Sequence, residues 1–241
     1  MKLLVWLCPI LAAAQSLPPG GIPVSVGGGA TATYQAVGSG SNSAAGTSIP
    51  NFTVTIPGGV TNGAVACGVS FSVNTVSAIS VTIGGSAASV VTGSDSSTVK
   101  TYRSVIYGRV TGSTTGAQTV AITWTGSASA TAGCVAASGV NQTTPFAHGT
   151  YASGQNDGAG GGNPSLAITS AANNMTMNTV SVDSGGAPTA PTQTSRFAFN
   201  DGLYAVGTGG STAAGAATVT HAWTVGNYAT WTASGADFQH N

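Results

Sequence analysis

Apolar and polar residues alternate with a period of two along most of the chain after residue 27. In GAVACGVSFSV (63–73), Val65, Cys67, Val69, Phe71 and Val73 fall on one side, and Ala64, Ala66, Gly68, Ser70 and Ser72 on the other. Only an extended strand puts every second residue on one face, so this segment is predicted to be a strand. AQTVAITWTG (117–126) repeats the pattern, with Val120, Ile122 and Trp124 opposite Thr119, Ala121 and Thr123. ATVTHAWTV (217–225) sets Val219, His221, Trp223 and Val225 against Thr218, Thr220 and Thr224. NYATWTA (227–233) follows a Gly-Asn turn, which predicts that these last two runs form a hairpin. Strands are also predicted over 31–37, 51–56, 79–83, 97–111, 165–170 and 174–183.

A spacing of about ten residues between short alternating runs predicts an all-β fold, an antiparallel β-sandwich of jelly-roll or Ig-like type. SGQNDGAGGGNP (153–164) and DSGGAPTAPTQ (183–193) read as loops, because Gly, Asn and Pro dominate them. Neither is long enough for an interdomain linker, so residues 28–241 are expected to form one sandwich domain, preceded by an apolar segment and Pro/Gly hinge over 1–27. No tandem repeat is evident beyond the shared Thr/Val alternation.

Composition narrows the partners. Charged residues make up 4% of the 241 positions, and five basic residues balance five aspartates with no glutamate. Phosphate binding needs a basic surplus, so nucleic acid is not an expected partner. No apolar run long enough to span a bilayer occurs beyond the first fifteen positions, so no membrane span is expected in the mature domain. A surface of hydroxyls and glycine near zero net charge favours association, which suits a subunit built into an array.

Groups able to carry a reaction are few. Four of the five aspartates (Asp95, Asp157, Asp183, Asp201, Asp237) adjoin Gly or Ser, as turn residues do, and Asp201 in FNDGLY marks a hairpin turn. His221 shares a face with Val219 and Trp223, the position of a satisfied core histidine; His148 and His240 complete the set. No nucleophile elbow, zinc-protease, P-loop or dinucleotide motif is present. The reading is of a protein without enzymatic activity, cofactor or metal, a secreted hydrolase being its remotest alternative. Cys67 and Cys134 either pair as a disulfide or pack as small buried residues. In KTYRSVIYGRV (100–110), Arg103, Tyr107 and Arg109 alternate onto one face, either as a contact strip for a partner or glycan or as an ordinary solvated sheet face.

GVNQTTPFAHGTYASG (139–154), followed by PSLAITSAANNMTMNTVSVD (164–183), resembles Gly/Ser/Thr-rich β-sandwich proteins of tailed-bacteriophage virions and bacterial surface proteins. The resemblance implies a non-catalytic structural or attachment role, and together with the near-zero charge it leads to the expectation of a structural virion subunit, a capsid decoration, outer-shell or tail component, whose partners are other copies of itself and other virion proteins. The alternative is an exported surface or adhesive module binding surface glycans. It carries no site residues across.

The opening MKLLVWLCPILAAAQSLPPGG has two readings. Lys2, an apolar run and Ala12-Ala13-Ala14 make a signal peptide, which places the protein outside the cell or on its surface once 1–14 are removed. Retained, Leu3, Leu4, Val5, Trp6, Leu7, Ile10 and Leu11 form an assembly arm that needs burial in a neighbour, and the protein belongs to a virion.

Overall fold

A computed structural model describes residues 30–98, 101–156, 158, 162–183, 186–201 and 206–241. The segment 1–27, with Cys8 and the arm residues Leu3, Leu4, Val5, Trp6, Leu7, Ile10 and Leu11, lies outside them. The described residues are all-β and every ladder is antiparallel, as the period-two pattern predicts.

Seven strands come first: β1 (Thr33–Ile56), β2 (Gly63–Phe71), β3 (Ser77–Ile83), β4 (Ser86–Ala87), β5 (Ser89–Val90), β6 (Arg103–Gly112) and β7 (Gly116–Ser138). The remaining seven are β8 (Phe146–Gln155), β9 (Ser165–Thr169), β10 (Met175–Val182), β11 (Thr194–Asn200), β12 (Gly207–Ala214), β13 (Thr218–Ala222) and β14 (Thr230–Phe238).

The pairing of the first seven strands recurs in the last seven. In the first unit, β2 lies between β6 and the end of β7, β5 extends the sheet beyond β6, and the start of β1 lies along the end of β7. In the second unit, β10 lies between β12 and β14, β11 extends beyond β12, and β8 lies along β14. The end of β1 pairs with the start of β7, as β9 pairs with β13. β3 then flanks β7 where Thr189 bridges to Thr224. Each unit is thus a two-layered sandwich. In the first, one seven-stranded sheet folds over on itself, the long β1 and β7 running through its inner and outer halves; in the second, a five-stranded inner sheet and a two-stranded outer sheet are separate.

TVAITW (119–124) and TVTHAW (218–223) occupy the same place in the two units. The hairpin expected from 217–225 and 227–233 does not form: β13 pairs with β9 in the outer sheet, and β14 pairs with β10 and β8 in the inner sheet. The Gly-Asn turn between them carries the chain across the sandwich.

Three apolar clusters follow from this layering. One fills the first unit, with Val65, Val69 and Phe71 of β2 against Val81, Ile83, Ile122 and Trp124. One fills the second, with Val180, Val182 and Trp231 against Leu166, Ile168 and Trp223. The third joins the units: Ala64, Ala66, Ile106 and Val135 meet Met175, Met177, Ala236 and Phe238. β2, β10 and most of β14 are therefore covered on both faces, and β2 and β10 read as unbroken buried runs.

The contact between units is reciprocal, as across a two-fold axis: β2 packs on β10, β6 on β14 and β12 on β7. Small side chains let the two inner sheets close. Gly68 sits over Thr179, where a Cβ would overlap the threonine side chain. Hydroxyls pair across the seam, Ser70 with Thr208 at 3.0 Å and Ser104 with Ser234 at 2.8 Å, and the hydroxyls of Thr131, Ser181 and Thr232 are buried without a protein partner.

Candidate functional site

The strip predicted at Arg103, Tyr107 and Arg109 is one-sided as expected, but it faces inward. Even-numbered residues of β6 face the second unit, as the Ser104–Ser234 bond and the burial of Ile106 against Met175 and Met177 require. Odd-numbered residues face the outer sheet of their own unit. Arg103 donates to the Val76 carbonyl at 2.7 Å, Tyr107 to that of Ile79 at 3.4 Å, and Arg109 to that of Ile83.

β6 and β3 share no ladder, so these three side chains, with the short β4 and β5, close the gap between them. Arg103 also forks onto Asp95, Nε to Oδ1 at 2.9 Å and Nη2 to Oδ2 at 2.6 Å. Tyr107 is 6% exposed, and burial raises its phenol pKa.

The disulfide Cys67–Cys134 joins directly opposed residues of β2 and β7 inside the first core. The second unit has a polar chain in the matching core instead. Thr176 Oγ1 lies 2.9 Å from His221 Nε2, His221 Nδ1 2.7 Å from Ser211 Oγ, and Ser211 Oγ donates to Asn178 Oδ1 at 2.8 Å. Trp223 Nε1 donates to the same amide oxygen. These partners suit a neutral imidazole that donates from Nδ1 and accepts at Nε2. Burial pushes the His221 pKa down to about 4. His221 and Ser211 are each 1% exposed, so this chain is packing rather than a site open to a dissolved substrate.

A second polar cluster reaches the surface. Asp237, fully buried, accepts from Ser170 Oγ at 2.7 Å and Asn174 Nδ2 at 2.6 Å, and faces His148 Nδ1 at 3.3 Å. Burial raises the Asp237 pKa, against the lowering pull of these hydrogen bonds and of His148. His148 has φ +49° in a bulge of β8 against β14, which turns its ring toward Asp237 and leaves the side chain 43% exposed. His240 is not free either: its backbone N–H and ring Nδ1 both meet Asn174 Oδ1.

Two grooves lie between the units, at matching places. The first, about 630 Å³, runs between β5 and β6 of the first unit and the segment 142–149 entering β8. The second, about 300 Å³, runs between β11 and β12 and the segment 31–34 entering β1. Phe146 of the first corresponds to Tyr34 of the second, and Gly108 to Thr212.

The second groove holds a plug. Arg196, an extra residue bulged out of β11, stacks 3.5 Å over the Tyr34 ring and donates to Thr212 Oγ1 at 2.6 Å. β5 carries no such bulge, and the first groove stays open. Neither groove was predicted, since the residues that meet there are far apart in the chain.

No family model matches this chain, and no curated protein or solved structure matches it either. Among the described residues, no group of three or more His, Cys, Asp or Glu side chains is arranged to hold a metal ion, and no helix is long and apolar enough to cross a membrane.

Proposed function

We propose that the protein is a non-enzymatic structural subunit of a virus particle, a shell decoration or tail component, working through contacts between copies and with other particle proteins. The observation that carries this reading is the outer edge of β8. β8 ends the inner sheet of the second unit, and beyond Gly149 no strand of the described residues pairs with its outer side. Across FAHGTYASGQ the edge carries no Lys, Arg, Asp or Pro, the residues by which natural sheets block edge-to-edge pairing. The chain's near absence of charge supports the same reading. So does the phage-like GVNQTTPFAHGTYASG segment, which contains most of β8. An exported adhesive module is the second reading, favoured by the open groove.

The test is the mass of the purified chain in solution against concentration, for the wild type and Tyr151→Lys on the exposed face of the edge strand. Self-association is expected, weakened about tenfold or more by the lysine, which corresponds to roughly 1.4 kcal/mol. A wild type that stays monomeric up to about 100 μM, a concentration at which even weak specific pairs form, overturns the reading.

A further inference from the structure

The two grooves are the same construction finished differently, and the difference points to a ligand. Arg196 fills the second groove because it is a bulged residue of β11 that the counterpart β5 lacks. In the first groove β5 supplies only the short side chains of Ser89 and Val90, with no counterpart of the arginine, and Gly108 stands where Thr212 accepts the arginine's bond. The Phe146 ring lies directly over Gly108, whose missing side chain makes room for it. Val90, which lines the groove, is 41% exposed.

We infer that the open groove is a binding site for a neutral saccharide. Its volume of about 630 Å³ lies within the range of small-ligand sites. The two ionisable residues along it already hold partners, the Arg109 guanidinium on the Ile83 carbonyl and the His148 ring against Asp237. What remains is the hydroxyls of Ser89, Thr92 and Thr143 and the Gln142 amide, beside apolar Val110, Pro145 and Phe146. A sugar ring carries both complements, an apolar C–H face and a rim of hydroxyls. A cation would have to give up its hydration with no carboxylate along the groove to receive it, and an anion would find both basic side chains already turned to partners of their own.

A peptide added as a strand is the poorer fit. Gly149 packs against the Thr92 backbone and Gly93 against that of Gly149, so the β8 edge is closed along this stretch.

Backbone amide NMR of the full-length chain tests the site, with lactose, maltotriose, chitobiose and mannotriose as neutral probes and glucuronate and a ten-residue extended peptide as controls. At least one neutral sugar is expected to shift the Gly108 and Gly149 amides saturably, with a dissociation constant at or below about 1 mM. Thr194 and Thr212, in the plugged groove, should not move. Val90→Trp, an exposed position whose enlargement closes the mouth, should weaken binding at least tenfold while keeping a dispersed spectrum. Absence of shifts from every neutral sugar, shifts from the controls alone, or wild-type affinity in Val90→Trp overturns the assignment. None of these outcomes depends on self-association at the β8 edge, so the two readings fail separately.

Discussion

Asn178 of the second unit stands where Cys67 stands in the first. Each faces its own core from the middle of the strand flanked by two others, Cys67 opposite Cys134 and Asn178 opposite Gly235. One fold position is thus held by a covalent cross-link in one unit and by a hydrogen-bonded amide in the other. The cross-link closes a loop of 67 residues, for which chain entropy gives a contribution of about 4 kcal/mol. The double variant Cys67→Ala/Cys134→Ala is expected to lower the unfolding free energy by that amount, read from urea titration as a lower midpoint, and reduction of the wild type should do the same. Equal stability with and without the bond would contradict this.

The polar core should make stability pH-dependent. The His221 pKa falls from 6.5 to about 4 on folding, so the folded state resists a proton that the unfolded state accepts. Its contribution is complete above pH 6.5 and is lost as pH falls toward 4, in total about 3 kcal/mol. Urea unfolding at pH 7 and pH 4 measures it. His221→Leu leaves Ser211 and Thr176 short of a partner and should be less stable at pH 7, yet lose less than the wild type on acidification.

Asp237 acts with the opposite sign. Burial raises its pKa above 3.8 in the folded state, so folding favours its protonated form, and that stabilisation is lost as pH rises through the folded value. Asp237→Asn removes the charge and can keep the contacts: an amide nitrogen at the Oδ1 position donates to Ser170, and the carbonyl still accepts from Asn174. At pH 7 this variant is expected to unfold within about 1 kcal/mol of the wild type or above it, although the residue is wholly buried. A loss of several kcal/mol, the usual cost of breaking a buried ion pair, would show that the His148 contact dominates.

Gly68→Ala tests the seam between units. Its new methyl overlaps the Thr179 side chain, and both inner sheets are fixed by their own cores, so a cost of about 1–3 kcal/mol is expected. Gly58→Ala, which meets nothing within 4 Å, is the matched control and should change little. Calorimetry separates the two, since 1 kcal/mol moves the Tm of a chain this size by about 2–4 °C.

Arg103→Met keeps the aliphatic stem but loses the fork onto Asp95 and the bond to the Val76 carbonyl. A loss of about 2 kcal/mol is expected. Arg103→Lys should recover only part of it, because a single ammonium cannot reproduce the planar fork. Full recovery by lysine would show that charge alone matters there.

Strands with β-branched and aromatic residues on one face were legible in the sequence: β2, the start of β7, β9, β10 and β13 all lie where the alternation puts them. The Ala/Gly/Ser stretches 38–50 and 127–138 were not, although both are strand. Their side chains are small because other parts of the chain lie on top of them: Gly38 meets the Thr53 backbone and Gly133 the Phe197 ring. A strand reduced for close approach gives up the residues that would announce it. The repeat hid for a related reason. Matching positions carry unlike chemistry, Ile122 against His221 and Cys67 against Asn178, so the likeness lies in pairing and survives in sequence only around TVAITW and TVTHAW. The inward turn of Arg103, Tyr107 and Arg109 depends on which neighbour covers each face of β6, which alternation alone leaves open.

The join between the units has a counterpart where the described residues begin and end. Seven residues, 139–145, lead from β7 to β8. After β14 come 239–241, and before β1 come 30–32 among the described residues. Gly139 receives the Asn241 amide on its carbonyl and packs against the Ala30 and Thr31 backbones, so both ends rest on the natural linker. A circular permutant of residues 30–241 that joins Asn241 to Ala30 and opens within 142–144 should therefore fold to the same structure, with its two units exchanged in order along the chain.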